Sequence, residues 1–531
     1  RVRSRNINLI ISDFFKIQPG TSLLPKEFDA IVTNPPYTRQ EEMEYKEQIR
    51  EVALTYTNGT KIPLSPQAGI YVYFFTHSAK FLKNGGRMGY ITSNTWLDTK
   101  FGEGLKQFFL DHFKILAVIE HDAGVFMIPN VDASITLLEK VEGNSLKKER
   151  SSHTVKFIRI KKPISITELV QKIHVLQTNF EDENIRVVTM PQGRLNAKEK
   201  WGIYLRAPTI YFKIINSPLI TELRNLAKVK RGFTTGADAF FYLNKEKVSQ
   251  WKIEKEFLRP IIIRPKDVAN YDLTTEDVKN YVLLVNKTKE ELQGTNVLKY
   301  IEWGESVEIA GRGRAKGRVY KGYHNITMIK PRKIWYSLGD QQPAPILFPR
   351  IIRWRTFFIW NRCSALSHQT FYNIYPLDRS YILPLLGILN SSLSQFFVEL
   401  HGRLYGRGLL EFAVYELEEL PTIDIRKLDD QKKKTLRSSF IKLCEARRKK
   451  QRDLEEKIKR KIDDLLFDVL GLNDKERKQV YKGLESLKKM RAQRKEIKIL
   501  VETKERWTYR KHKTKEKKDE PIKRLDSWFI S

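Results

Sequence analysis

Cysteine is nearly absent from this sequence. Cys363 and Cys444 are the only two in 531 residues, and neither stands in a Cys-x-x-Cys pair. That excludes a disulfide-stapled scaffold and a zinc ribbon, and it points to a reducing compartment with no structural metal. Long apolar runs are missing too, so no membrane-spanning helix and no membrane partner is expected. Acidic residues are scarce against basic ones: 63 Asp and Glu face 96 Lys and Arg, for a net charge of +33. A surplus of that size excludes an ordinary neutral metabolic enzyme and calls for a polyanionic partner, nucleic acid before membrane. The length allows roughly two to four domains.

The most informative stretch that is present is Asn34-Pro35-Pro36-Tyr37, which follows the apolar run Phe28-Asp29-Ala30-Ile31-Val32-Thr33. The run reads as a buried strand. The two prolines fix φ, remove two backbone donors and leave carbonyl oxygens free to accept. Asn34 adds another acceptor, and Tyr37 adds a flat face. Such a cup suits a planar group bearing an NH2: the Asn34 side-chain oxygen and the Pro35 carbonyl accept its two hydrogens while Tyr37 stacks on the ring. Positioning and electrostatics then carry the reaction without a titrating base. Pro-Pro-Tyr also makes ordinary exposed turns, so the surroundings have to decide.

Asp/Asn/Ser-Pro-Pro-aromatic after a strand resembles the signature of amino-group methyltransferases that use S-adenosylmethionine. The Asn-Pro-Pro-Tyr form is similar to the gamma-class DNA adenine-N6 enzymes. That resemblance implies roles elsewhere in the chain. Asn8 to Ser12 reads as a strand, and Asp13 and Phe14 after it match the pair expected at the cofactor's adenine, Asp13 at its amino group and Phe14 on its ring. Ile70 to Leu82 reads as an aromatic-rich helix closed by Lys83-Asn84-Gly85-Gly86. On it, Phe74 falls where the family sets a second ring against that adenine, although helix core is an equal reading. Pro36 belongs to the cofactor side of the cup. Lys114 to Glu120 reads as a strand, with Ser134 to Lys140 as an antiparallel edge beside it. Between them Phe126 stands where the family puts the ring on the far face of a flipped base, opposite Tyr37. Residues 38–68 read as a loop over the site. The Pro-Cys nucleophile of cytosine-C5 methylation is absent, since Cys363 follows Arg362.

No Gly-x-Gly after a strand occurs in residues 1–33. The glycine-rich cofactor loop, and the acidic residue for the ribose hydroxyls, are therefore expected upstream of Arg1 or on a separate chain.

Residues 146–200 read as a bridge, and 201–421 as a second domain. Arg231-Gly232-Phe233-Thr234-Thr235-Gly236-Ala237-Asp238 resembles the opening of the target-recognition domain in single-chain type II restriction-modification proteins. Pro331-Arg332-Lys333-Ile334-Trp335-Tyr336 and Leu389-Asn390-Ser391-Ser392 resemble its later landmarks. The glycine-loosened basic stretch with Arg312, Arg314 and Arg318 suits phosphate contact, as do Arg353 and Arg355 around Trp354. Residues 422–510 turn helical and basic. There Arg447 and Arg448 lead an amphipathic run expected to lie along the DNA backbone. Glu502-Thr503-Lys504 is a poor nuclease candidate, with no preceding Asp in strand context. Residues 511–531 read as a disordered linker. It ends in Leu525, Trp528 and Phe529, similar to an archaeal sliding-clamp-binding peptide without its usual Gln; packing onto the protein's own surface is the other reading.

The fold expected is α/β: the back half of a Rossmann-like methyltransferase sheet over residues 1–145, a mixed α+β recognition domain and a basic helical region. The activity expected is adenine-N6 methylation of double-stranded DNA, with S-adenosylmethionine as cofactor and a cytoplasmic, nucleoid-associated location. Alternatives are a bifunctional type IIG enzyme with its nuclease upstream, or a DNA-binding specificity subunit that needs a partner chain.

Overall fold

The computed structural model describes residues 9–21, 24–37, 45–56, 61–122, 133–143, 146–311, 317–353, 356–405 and 408–492. Phe126, Arg312, Arg314, Arg355, Glu502, Leu525, Trp528 and Phe529 therefore lie outside the described residues. The chain divides into two compact units, Arg1–Ala207 with Ala492–Ser531, and Pro208–Arg491.

The first unit is built on one seven-stranded sheet. Its strands are β1 (Phe28–Thr33), β2 (Leu82–Ser93), β3 (Phe113–His121), β4 (Ala133–Lys140), β5 (Thr154–Ile160), β6 (Phe180–Glu181) and β7 (Ile185–Pro191). Their spatial order is β1-β2-β4-β3-β5-β7-β6. β1 runs parallel to β2, and β3 parallel to β5, while β4 is antiparallel to both β2 and β3. The strands β1, β2, β3 and β5 thus all point one way, and their carboxyl ends share one edge of the sheet. Ligand sites in open α/β sheets gather at that end. Helices α1 (Lys46–Leu54), α2 (Ile70–Ser78) and α3 (Glu103–His112) accompany the sheet. α2 is apolar on nearly all sides, and most of it is buried. Its Phe75 stacks on Tyr90 of β2 with ring centroids 4.3 Å apart, and Phe109 of α3 meets Phe75 edge-on at 5.0 Å.

Several expectations change here. Residues 9–12 form no strand, and Leu9 and Ile11 are 84% and 91% exposed; without a partner ladder, a short apolar run alone does not make a strand. The helix stops at Ser78, and β2 already begins at Leu82, before the two glycines. Asn84-Gly85-Gly86 is absorbed as a bulge: Phe28 faces Leu82 while Ala30 faces Arg87. Gly85 takes φ +79°, a left-handed value that glycine adopts freely. β4 is an interior strand rather than an edge. Residues 146–200 are no bridge, since β5, β6 and β7 extend the same sheet and the unit runs to Ala207.

The second unit is mixed α+β. A four-stranded sheet joins Tyr242–Asn244, Asn280–Leu283, Leu258–Ile262 and Leu366–Ser367. A five-stranded sheet joins Asp272–Leu273, Ile359–Asn361, Ile346–Pro349, Phe371–Pro376 and Ala227–Arg231. Phe240, Tyr300 and Trp335 belong to the aromatic core beside the first sheet. The basic helices Asp430–Arg448 and Arg452–Val469 are not a separate region after Pro421: they belong to this unit and bury Leu436, Phe440, Leu443, Ile462, Leu466 and Phe467 in it. Among the described residues no single helix is long and apolar enough to cross a membrane.

Candidate active site

β1 ends at Thr33, paired with Tyr90, and delivers Asn34 to the carboxyl edge of the sheet. Pro35 is buried, whereas Asn34 and Pro36 are exposed and Tyr37 is half-buried. The Tyr37 hydroxyl has one proton and two acceptors in reach, Asn34 Oδ1 at 2.7 Å and the Ile91 carbonyl of β2 at 3.2 Å. The shorter contact dominates, so Tyr37 donates to Asn34 and turns the carboxamide oxygen toward itself. That oxygen keeps a second lone pair for a ligand. Burial raises the Tyr37 pKa, so the hydroxyl is a neutral donor near pH 7.

Asp13, Phe14 and Phe74 also converge. Asp13 Oδ1 accepts the Phe15 amide at 3.0 Å and caps a single helical turn. Phe14 and Phe74 stack on each other, with centroids 4.9 Å apart and an interplanar angle of 14°. No third ring fits between rings at that spacing, so a planar ligand has only an outer face of the pair to use. His77 of α2 holds the turn in place, its Nε2 lying 3.0 Å from the Phe14 carbonyl and 3.2 Å from that of Ile17. Two carbonyl acceptors require a proton on Nε2. Burial lowers the His77 pKa to about 4, which keeps the ring neutral.

The sequence reading missed a second constellation on the same edge. Asn94, directly after β2, donates from Nδ2 to Glu120 Oε1 of β3 at 2.6 Å. Arg206 donates to both oxygens of Glu120, at 3.0 and 2.7 Å, and to Asp98 at 2.7 Å. Gly202 allows the close approach, since a Cβ there would lie 2.4 Å from an Asp98 oxygen. The network ties the ends of β2 and β3 together beside Asp122 and Ala133, the residues flanking segment 123–132. Its one sequence signal is a carboxylate, Glu120, after the apolar run Ile115–Ile119.

The basic residues separate into two groups. Arg447 donates to Glu455 at 3.2 Å, and Arg448 donates to Asp272 at 2.8 Å and Asp277 at 2.6 Å. Both charges are compensated internally, which removes them from the set free to meet phosphates. Lys449 and Lys450 beside them are exposed, and so are Lys457, Arg460 and Lys461, which line a groove on the next helix. Arg318 and Arg353 are exposed. Among the described residues no group of three or more His, Cys, Asp and Glu is placed to hold a metal.

Residues 199–466 match the family model "Type II methyltransferase M.Eco57I, C-terminal domain". Residues 3–126 match "Eco57I restriction-modification methylase". The chain is 25% identical over 441 residues to the type II methyltransferase M.AccI of Acinetobacter calcoaceticus, a match that covers 80% of this chain and 74% of that relative. It is also 25% identical over 405 residues to M.XamI of Xanthomonas campestris pv. amaranthicola, covering 74% of this chain and 66% of that one. Among solved structures, the type IIL restriction-modification enzyme MmeI in complex with DNA aligns with a TM-score of 0.47 and 12% identity, over 87% of this chain and 57% of its own. The type IIG restriction endonuclease BpuSI aligns with a TM-score of 0.41 and 14% identity, over 91% of this chain and 56% of its own.

Proposed function

The chain belongs to the type II methyltransferase family whose model matches residues 199–466, and from that premise we propose that it methylates N6 of adenine at specific sites in double-stranded DNA. The observation that carries this reading is the Asn34–Tyr37 cup at the carboxyl end of a parallel strand, with its acceptor oxygen held by a tyrosine hydroxyl. The first unit then serves as a Rossmann-like catalytic sheet, and the second as the target-recognition part.

In this reading an adenine leaves the duplex and enters the cup. Asn34 Oδ1 and the Pro35 carbonyl accept the two N6 hydrogens, and Tyr37 stacks on the ring. Holding both hydrogens fixes the direction of the N6 lone pair. S-Adenosylmethionine is the cofactor and supplies an electrophilic methyl group on a cationic sulfur. Methyl transfer to N6 would leave the electron pair on sulfur, and the proton released from N6 would pass to solvent while Asn34 Oδ1 and the Pro35 carbonyl hold the amino group. The exposed Asp13 carboxylate beside the Phe14/Phe74 pair fits the adenine end of that cofactor, one oxygen being engaged with Phe15 N–H and the ring pair offering an outer face. Phe126 takes the far face of the target base, and Leu525, Trp528 and Phe529 dock on a sliding clamp; calorimetry of a 515–531 peptide against an archaeal clamp tests the latter, with no heat as the refuting result.

The test is tritium transfer from S-adenosylmethionine into duplex DNA by the full-length protein. Asn34→Ala is expected to bind DNA normally and lose about 100-fold or more in rate, the scale seen when one preorganised polar group is removed from a catalytic site. Near-normal transfer by that variant would refute the mechanism.

A further inference from the structure

The turn Thr234–Ala239 in the second unit presents a carboxylate that the catalytic reading does not use. The turn is fixed from beneath. Thr235 is fully buried, its hydroxyl donates to Asp238 Oδ1 at 2.5 Å, and its carbonyl accepts from Arg332 at 2.7 Å. Gly236 sits at φ +77°, where an L side chain is strained. The second Asp238 oxygen lies 3.7 Å from His368 Nε2. Burial lowers the His368 pKa, so the imidazole is neutral and does not cancel the charge. Among the described residues no Lys or Arg pairs with Asp238, whose side chain is 54% exposed. The carboxylate is thus held in place by Thr235 and open to an incoming group.

It opens into a cleft of about 950 Å³ whose far wall is the hairpin Glu308–Ala310 with Val319–Lys321. The Gly311 amide donates to the Arg318 carbonyl at 2.7 Å, and both residues line the cleft. Met328, 66% exposed, gives the cleft an apolar surface. In a chain of net charge +33, a fixed carboxylate that no Lys or Arg pairs with among the described residues disfavours the DNA backbone. That cost is offset if the carboxylate accepts a hydrogen bond from an exocyclic amine, the one base-edge donor in the major groove. Lys and Arg, which only donate, cannot read that group.

Resting on the DNA-methyltransferase reading above, we propose that this cleft reads one base pair through the major groove, with Asp238 accepting from the amino group of a cytosine or adenine and Met328 lying against the adjoining base edge. Asp238 is then a specificity-determining residue, separate from the Asn34 cup.

The test expresses full-length wild type, Asp238→Asn and Met328→Ala in a host free of other DNA methylation, and sequences the modified sites. Asp238→Asn keeps the Thr235 contact and is expected to lose about 5- to 150-fold of discrimination at one base position. Its affinity for unrelated duplex should be equal or higher. An unchanged set of sites, or a uniform loss with unchanged preference, would overturn the proposal. If Asp238→Asn does not fold, Met328→Ala decides: altered preference at the same or the adjacent base pair supports it, and wild-type preference overturns it. Wild type without any DNA methylation would overturn the methyltransferase reading together with this inference, whereas active wild type with unaltered Asp238→Asn specificity overturns this inference alone.

Discussion

Tyr37→Phe isolates what the hydroxyl adds to the cup. The ring, and with it the stacking surface, is kept, while the hydroxyl's 2.7 Å approach to Asn34 and its 3.2 Å approach to Ile91 disappear. A neutral hydrogen bond is worth about 0.5–1.5 kcal/mol net, which is about 2- to 12-fold in rate if the bond orients Asn34 in the transition state. Tyr37→Ala removes the ring as well, and base–aromatic stacking contributes about 1–3 kcal/mol more. The two effects fall on different constants. Tyr37→Phe should lower the single-turnover rate with little change in DNA affinity, whereas Tyr37→Ala should also weaken capture of the flipped base, read from 2-aminopurine fluorescence at the target position. A Tyr37→Phe rate equal to wild type would refute the orienting role. Equal losses in Tyr37→Phe and Tyr37→Ala would refute the stacking role.

The other expectations concern stability and affinity. Arg206→Met removes the buried guanidinium that bridges Glu120 and Asp98, and should cost about 3–5 kcal/mol in urea unfolding; a loss below about 1 kcal/mol would mean that the fold does not depend on the network. Replacing Lys449, Lys450, Lys457 and Lys461 should flatten the dependence of log K on log salt by roughly one for each phosphate no longer neutralised. Arg448→Gln should lower the melting temperature and leave that slope unchanged, and the reverse pattern would restore the arginines as phosphate ligands. His77 is neutral in the fold with a pKa of about 4 against an ordinary 6.5. The unfolded chain therefore binds the extra proton first, and the contribution is full above pH 6.5 and shrinks as pH falls toward 4, by up to about 3 kcal/mol. His77→Gln should remove that part of the slope in unfolding experiments run between pH 4 and 7, and an unchanged slope would show that His77 is not its source.

Local chemistry made the Asn34–Tyr37 cup readable. Two prolines, an amide and an aromatic after an apolar run describe their own conformation, and β1 does end at Thr33; β1 is not the buried strand its apolar run suggested, for it lies at the end of the strand order with Val32 84% exposed. The strands read at Lys114–Glu120 and Ser134–Lys140 were also legible, from the apolar run Ile115–Ile119 and from the Ile135, Leu137 and Leu138 side chains, and they extend to Phe113–His121 and Ala133–Lys140. The size of the charge surplus needed no structure either. Tertiary structure decided what depends on a distant partner. Arg448 reads as a free cation in a basic run, yet its carboxylates lie 176 and 171 residues away. The Arg206–Glu120 pair spans 86 residues and follows no spacing rule. Asn84-Gly85-Gly86 carries a helix-stop signal, but β1 recruits it as a bulge because pairing a strand satisfies more backbone groups than ending a helix there. Sequence alone specified the chemistry of each segment. Only the folded chain selected which charges stay free and which strands find a neighbour, because those outcomes depend on groups far apart in sequence and close in space.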